Sequence, residues 1–275
     1  MREDSRVGLL ATKLLLAPSF VVAASLTARR FGSRVGGLIA GLPVVAGPIL
    51  LAYALAHGRG FAANAAVGTM LGLVSLTAFV VVYARLAGTL PWLASMLGGW
   101  LAFAASTAAF SSASPSPGLA LAAALGAMVV GLVLSPRLPD VDDATTTTLP
   151  GWDLPMRAIC ALALVLTLTA IAGWLGPQLS GLLAPFPIIA TVLATFTHAQ
   201  GGAVAARRLL RWLLGGYGAF ALFCFVLAVG LHPLGTGLAF LLATAAALAT
   251  QGAVIALLTR LGGMPRASAG AAPAA

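Results

Sequence analysis

The sequence predicts an all-α polytopic membrane protein with about nine transmembrane helices, arranged as a 4+1+4 inverted-topology duplication. Three observations predict this fold. Of the 275 residues, 60% are hydrophobic and 8% are charged, whereas a water-soluble domain carries about 25% charged residues. Apolar runs alternate with short charged or Pro/Gly-rich gaps, and these runs reach the roughly 20 residues that a helix needs to cross a bilayer. A Pro/Gly-rich segment also occurs twice, once in each half of the chain.

Nine apolar runs are long enough to be spans. In chain order they cover residues 7–28, 35–56, 62–86, 89–111, 117–135, 156–175, 178–199, 207–230 and 234–259. The runs do not alternate between polar and apolar residues, which argues against the strands of a porin-like barrel. The first run is too long for the apolar core of a signal peptide and lacks a good cleavage site, so we expect it to be span 1.

The predicted domain organisation follows from these spans. Residues 1–135 form a first transmembrane repeat plus an extra helix at 117–135, and residues 155–262 form a second transmembrane repeat. A polar linker, residues 136–154, joins the two and contains Asp140, Asp142, Asp143, Asp153 and four consecutive threonines. Residues 263–275 are rich in Ala, Pro, Gly and Ser, a composition that predicts a disordered tail.

The repeated segment is the basis for the predicted duplication. It consists of residues 36–48 (GGLIAGLPVVAGP) and residues 180–192 (SGLLAPFPIIATV), 144 positions apart. The matched pairs at this spacing are Gly37 and Gly181, Leu38 and Leu182, Ala40 and Ala184, Pro43 and Pro187, Ala46 and Ala190, Lys13 and Arg157, Gly32 and Gly176, Gly72 and Gly216, and Phe79 and Phe223. Farther along, a spacing of 137 matches residues 101–103 with 238–240. Span 5 has no match and would invert the second copy; the alternative is chance alignment of Gly/Ala/Leu-rich helices.

The basic residues predict the orientation. With nine spans, eleven of the fifteen Lys and Arg residues fall on one face, and Arg2, Arg6, Lys13 and Arg59 fall on the other. The positive-inside rule then makes the first face cytoplasmic, with the N-terminus outside and the C-terminus inside an inner (plasma) membrane. The net charge of +9 predicts the lipid bilayer and its anionic cytoplasmic lipids as partners. A nucleic-acid partner is not expected, since the sequence shows no soluble domain to carry a basic binding face.

Proline and glycine interrupt two spans at matched positions. Pro43, Gly47 and Pro48 lie in span 2, and Pro185 and Pro187 lie in span 7. A proline inside a helix removes a backbone hydrogen bond, and a polar group freed in hydrocarbon needs protein, water or cargo as its partner. Matched helix breaks in two halves are typical of substrate sites in secondary transporters. The alternative is a pair of simple kinks that allow close helix packing.

Four further residues complete the predicted site. Thr191 follows the second Pro motif, and Gln251 is the deepest large polar residue of span 9; either lines a polar pathway or hydrogen-bonds a neighbouring helix. Lys13 and Arg157 lie near the starts of spans 1 and 6. Each either attracts an anionic group at an entrance to the site or extends its charge to the membrane interface.

Absent motifs argue against several kinds of chemistry. All six acidic residues lie outside the predicted spans, which argues against an antiporter built on a membrane carboxylate. The sequence has no HExxH, GxSxG, CxxC or Walker A motif, so we expect no catalytic residue, no metal site, no cofactor and no enzyme activity. The leading hypothesis is a secondary-transporter-like protein that moves an unidentified small solute between spans 2 and 7. The alternatives are a non-transporting membrane scaffold or assembly factor and an intramembrane lipid-modifying enzyme.

Each half also resembles the small four-helix inner-membrane proteins of the GlpM type. These carry a basic residue early in helix 1 and an IAGL…P segment at the start of helix 2. Lys13 and residues 37–43 match this pattern in the first half, and Arg157 and residues 180–187 match it in the second. The resemblance implies an inner-membrane location and no particular activity. The fusion of two such copies departs from the single-copy pattern.

Overall fold

The computed structural model describes residues 18–28, 32, 34–136, 150–167 and 186–260, and within these ranges it contains helices and no strand. In chain order the first seven helices are α1 (Pro18–Ala28), α2 (34–40), α3 (Ala46–His57), α4 (Arg59–Leu86), α5 (Trp92–Phe110), α6 (Pro117–Leu134) and α7 (153–167). The stretch Ile188–Arg260 follows, and non-helical backbone at Gly202 and Gly235 divides it. We name its parts α8 (188–201), α9 (203–234) and α10 (236–260).

Glycines end three of these helices in a conformation that other residues rarely adopt. Gly58, Gly202 and Gly235 have φ of 87°, 78° and 77°, with ψ of 169°, 176° and 169°. This region of backbone space is essentially restricted to glycine. Gly58 and Gly202 lie 144 positions apart, as do Gly235 and Pro91, the residue before α5. The starts of α4 and α9 and of α5 and α10 therefore keep the spacing of 144, whereas the sequence alone suggested 137 for the second pair. The ends of α4 and α9, at residues 86 and 234, do not keep it.

Among the described residues, four helical stretches are long and apolar enough to cross a membrane. They are Arg59–Leu86, Trp92–Phe110, Pro117–Leu134 and Ile188–Arg260, and α1 and α3 are shorter apolar helices. Helices at the predicted spans 3, 4 and 5 are thus confirmed to within a few residues. The count of nine spans stays a prediction, because spans 1, 6 and 7 include residues outside the described ranges.

The outer surface of the bundle is apolar. Leu101 on α5 and Val133 on α6 are each 72% exposed, and Leu241 on α10 is 66% exposed. Water-soluble monomers rarely present such broad apolar surface. Together with the helix lengths, this surface is compatible with an integral membrane protein.

Helix α4 lies at the centre of the bundle and organises the core. It packs against α3, α5, α6 and the stretch Ile188–Arg260. Small side chains such as Ala62 and Ala66 and large ones such as Phe79 and Tyr83 are fully buried along it. At 28 residues it is about 42 Å long at 1.5 Å per residue, which exceeds the roughly 30 Å hydrocarbon core of a bilayer.

Candidate functional site

The first Pro motif separates two helices. Helix α2 ends at Ala40, α3 begins at Ala46, and residues 41–45 between them are not helical. The carbonyl of Leu42 accepts a hydrogen bond from the amide of Val44 (2.9 Å), and the carbonyl of Pro43 accepts one from the amide of Gly47 (2.8 Å). Predicted span 2 is therefore two shorter helices joined by a non-helical connection at Pro43, rather than one kinked helix.

The second Pro motif has the same backbone hydrogen bonds. The carbonyl of Phe186 accepts from the amide of Ile188, and the carbonyl of Pro187 accepts from the amide of Thr191, both at 2.8 Å. All four of these residues lie 144 positions after their counterparts in the first motif. Each proline is thus followed within three residues by the first turn of an apolar helix. Pro185 lies outside the described residues.

Pro48 and Gly47 lie in the first turn of α3. Proline is tolerated there because the first amides of a helix have no intrahelical partner. A Cβ added to Gly47 would lie 3.4 Å from the Cζ atom of Phe223 on α9. The start of α3 therefore faces a helix of the second half of the chain.

Glycines bring the first break close to α9. A Cβ added to Gly37 would lie 2.7 Å from the carbonyl oxygen of Leu209, and one added to Gly41 would lie 2.6 Å from the Cα atom of Gly216. A Cβ on Gly216 would in turn lie 2.6 Å from the carbonyl oxygen of Leu38. Small residues spaced by four positions allow such close helix crossings in membrane proteins. The contact fixes α2, and the break that follows it, against the second half.

Gln251 of α10 binds the end of α2. Its Nε2 donates a hydrogen bond to the carbonyl of Leu38 at 3.1 Å. In a regular helix the amide of Leu42 would fill that role, but it bonds the carbonyl of Ile39 instead, at 3.0 Å. Gln251 thus satisfies one of the carbonyls that a helix C-terminus leaves free. The amide is buried, with 4% of the residue exposed, and its Oε1 has no hydrogen-bond partner.

The second break packs on α5. The Nε1 of Trp100 donates a hydrogen bond to the hydroxyl of Thr191 at 3.0 Å. The ring of Phe186 meets the rings of Trp100 and Phe103 edge-on, at centroid distances of 5.2 Å and 5.7 Å. Thr191 is buried. Its hydroxyl therefore serves as a hydrogen-bond acceptor between helices.

The structure brings some of the predicted site residues together and keeps others apart. Gln251 lies at the break around Pro43, whereas Thr191 lies at the break around Pro187. Within the described part of the chain, no hydrogen bond or ring contact joins one break directly to the other. Each break instead packs on helices of the opposite half.

Arg157 belongs to a buried polar cluster. Its Nε donates to Oδ2 of Asp153 at 2.8 Å, and Nε2 of Gln200 donates to Oδ1 of the same carboxylate at 2.6 Å. The guanidinium also lies 5.1 Å from the ring centroid of Phe196. Asp153 is fully buried and Arg157 is 5% exposed. The guanidinium is thus held by α7 and α8, while Lys13, its predicted counterpart, lies outside the described residues.

Asp153 falls within the predicted polar linker, residues 136–154. The structure instead makes it the first residue of α7 and buries it completely. Two signals in the sequence could have identified it. It precedes Arg157 by four positions, the spacing of an ion pair along a helix, and an acid in the first turn of a helix interacts favourably with the helix dipole.

Three arginines gather at one end of the bundle and donate to carbonyls at helix C-termini. The bonds run from Arg207 Nε to Ala84 O (2.8 Å), from Arg211 Nη1 to Leu132 O (2.8 Å) and from Arg85 Nε to Leu134 O (3.2 Å). The acceptors lie in the last turns of α4 and α6, where positive charge is favourable. All three arginines belong to the face predicted to be cytoplasmic. The structure therefore groups them at one end, while the side of the membrane on which that end lies stays a prediction.

Within the described ranges, no group of three or more His, Cys, Asp or Glu residues is placed to hold a metal ion. Comparison of the chain with models of protein families, with curated proteins and with solved structures finds no match.

Proposed function

We propose that the chain is an integral inner-membrane protein that moves an unidentified small solute, in the manner of a secondary transporter. The solute site would lie between the two Pro/Gly-broken segments. The observation that carries the proposal is the common backbone geometry of the two breaks: the carbonyls of Pro43 and Pro187 accept equivalent hydrogen bonds, 144 positions apart. In transporters, interrupted helices at matched positions of two repeats supply backbone groups to the substrate.

An internal duplication is part of this proposal. The shared features are the hydrogen bonds of the two motifs, the left-handed glycines Gly58 and Gly202, and the helix starts after Pro91 and Gly235. These coincidences at one spacing support duplication over chance similarity between Gly/Ala/Leu-rich helices. With α6 between the copies, the second would have inverted topology. Each copy would then be a GlpM-like unit, fused to its partner.

Reciprocal packing supports a site between the halves. The break around Pro43 contacts α9 and α10, and the break around Pro187 contacts α5. At the spacing of 144, α5 is the counterpart of α10. Two-fold related units make each contact twice, with the partners exchanged. Both breaks would therefore face the interface along which two rocking halves of a carrier move.

The interrupted helices are the reason that we propose transport rather than a scaffold role. A scaffold helix needs no interruption, and an interrupted apolar helix leaves backbone groups that require new partners. At the first break, one such partner is the side chain of Gln251, whose carbonyl oxygen is itself unpaired. A buried polar atom without a partner calls for an explanation, such as an unseen ligand or water.

Reconstitution into vesicles of mixed zwitterionic and anionic phospholipid tests the proposal. A panel of labelled neutral and anionic solutes would be screened for uptake, and the variants Pro43→Ala and Pro187→Ala would be compared with wild type. We expect each variant to lower uptake at least tenfold. Pro117→Ala is the matched control, because Pro117 lies in the first turn of α6, away from both breaks. Wild-type uptake by both break variants would contradict a solute site at the breaks. A lack of uptake for every solute would favour the non-transporting scaffold.

A further inference from the structure

The side-chain amide of Gln251 is buried but only half satisfied. Its Nε2 bonds the carbonyl of Leu38, so the orientation of the amide is fixed: a flipped amide would place Oε1 against another acceptor. The free group is therefore the acceptor, Oε1. Buried polar atoms are nearly always paired, and an unpaired one calls for an explanation, such as an unseen ligand or water.

The position of this oxygen favours a ligand. Leu38 lies in the last turns of α2, directly before the non-helical residues 41–45. The backbone packed around the carbonyl of Leu38, which includes Gly41 and Gly216, carries no charge. A bare cation or anion would be costly to bury among such groups. The ligand that fits is a neutral one that offers a hydrogen-bond donor.

A second unpaired oxygen lies at the equivalent position of the other half. The hydroxyl oxygen of Thr107, on α5, is buried and has no hydrogen-bond partner. Thr107 precedes Gln251 by 144 positions, the same spacing that relates the two Pro motifs. Two of the four unpaired buried side-chain oxygens among the described residues thus lie at one register of α5 and α10, and the other two belong to Ser25 and Thr195.

We propose that Oε1 of Gln251 accepts a hydrogen bond from a neutral N–H or O–H group of a solute bound at the break between α2 and α3. This inference rests on the proposed function and specifies the class of its cargo: small neutral molecules with amide or hydroxyl donors. Gln251 acts as a binding residue, and its Nε2 bond to Leu38 holds the acceptor in place.

Glutamine labelling gives a direct test on the wild-type protein. The chain has three glutamines, Gln178, Gln200 and Gln251, so protein grown on ¹³C,¹⁵N-glutamine gives three side-chain carbonyl signals, assigned with single Gln→Met variants. The probes are acetamide and glycerol, which have donors, and N,N-dimethylacetamide, which has none. Sodium chloride and choline chloride test for a cation site. Gln200 is the internal control because both ends of its amide are engaged by Asp153 and Arg157.

We expect acetamide or glycerol to shift the Gln251 carbonyl signal saturably, while dimethylacetamide leaves it in place. Thermal stabilisation by the same probe should weaken at least tenfold in Gln251→Met. Two results would overturn the inference. Either no probe moves the signal, as expected where a resident water already donates to Oε1, or sodium but not choline moves it.

The flux assay keeps this test separate from the proposed function. Uptake that survives in Gln251→Met at the wild-type rate would overturn the binding role and leave transport standing. A saturable shift at Gln251 in a protein that moves no solute would overturn transport and leave the binding role standing.

Discussion

Gly41 on α2 and Gly216 on α9 meet so closely that a Cβ on the first would lie 2.6 Å from the Cα of the second. The contact joins the two halves of the chain at the point where α2 ends and the first break begins. Because backbone lies on both sides of it, neither residue can move aside as a flexible side chain would.

Gly41→Ala should therefore destabilise the protein by about 1–3 kcal/mol, the usual penalty for overpacking a tight contact. Thermal unfolding of the purified protein in detergent measures this change. Gly68→Ala on α4 is the matched control, since no atom lies within 4 Å of a Cβ at that position. The control should be neutral or up to about 1 kcal/mol more stable, because alanine favours helix. Equal stability of the two variants would contradict the contact.

The sequence predicted the parts of the fold that depend on long apolar runs. Helices α4, α5 and α6 begin and end within a few residues of predicted spans 3, 4 and 5. The interruption at Pro43 was predicted as well, because a proline without an N–H disrupts helical bonding wherever it lies inside a run.

The candidate site was less predictable because its contacts are long-range. Gln251 and Leu38 are 213 positions apart, and no local pattern indicates which helices pack together. The polarity of the surrounding linker concealed the burial of Asp153, which depends on Arg157 and Gln200. The start of α10 follows the conformation of Gly235 rather than a match of side chains, so the sequence suggested a spacing of 137 where the helix starts keep 144.

The buried pair of Asp153 and Arg157 should be sensitive to the loss of one partner. Asp153→Asn removes the carboxylate charge that pairs with the buried guanidinium of Arg157, and we expect a loss of about 3–5 kcal/mol in unfolding free energy. The double variant Asp153→Leu with Arg157→Met removes both charges and should lose much less than the sum of the two single changes, as expected for coupled residues. Additive losses in chemical denaturation would show that the two side chains act independently.

Gly202 is predicted to be needed for its backbone conformation alone. A Cβ there would meet nothing within 4 Å, yet φ is 78°. Gly202→Ala should cost about 1–3 kcal/mol from backbone strain. Gly237 lies in helical backbone and also has open space around it. Gly237→Ala is therefore the control and should leave the unfolding free energy unchanged. If thermal unfolding shows the two variants to be equally stable, the left-handed break between α8 and α9 is not required.

The arginines at the ends of α4 and α6 give a prediction about orientation. Thr89 lies in the exposed connection after α4, next to Gly88, which contacts Arg207. Ser112 lies in the exposed turn after α5. The positive-inside rule puts the arginine end in the cytoplasm, so the two positions should lie on opposite sides of the membrane.

Single cysteines at these positions test this orientation once Cys160 and Cys224 have been replaced by serine and alanine. A membrane-impermeant maleimide should label Ser112→Cys in intact cells, and Thr89→Cys only after the membrane is opened. The reverse pattern would place the basic end outside. Labelling of both cysteines in intact cells would mean that α5 does not cross the membrane, and the inverted arrangement of the two halves would lose its basis.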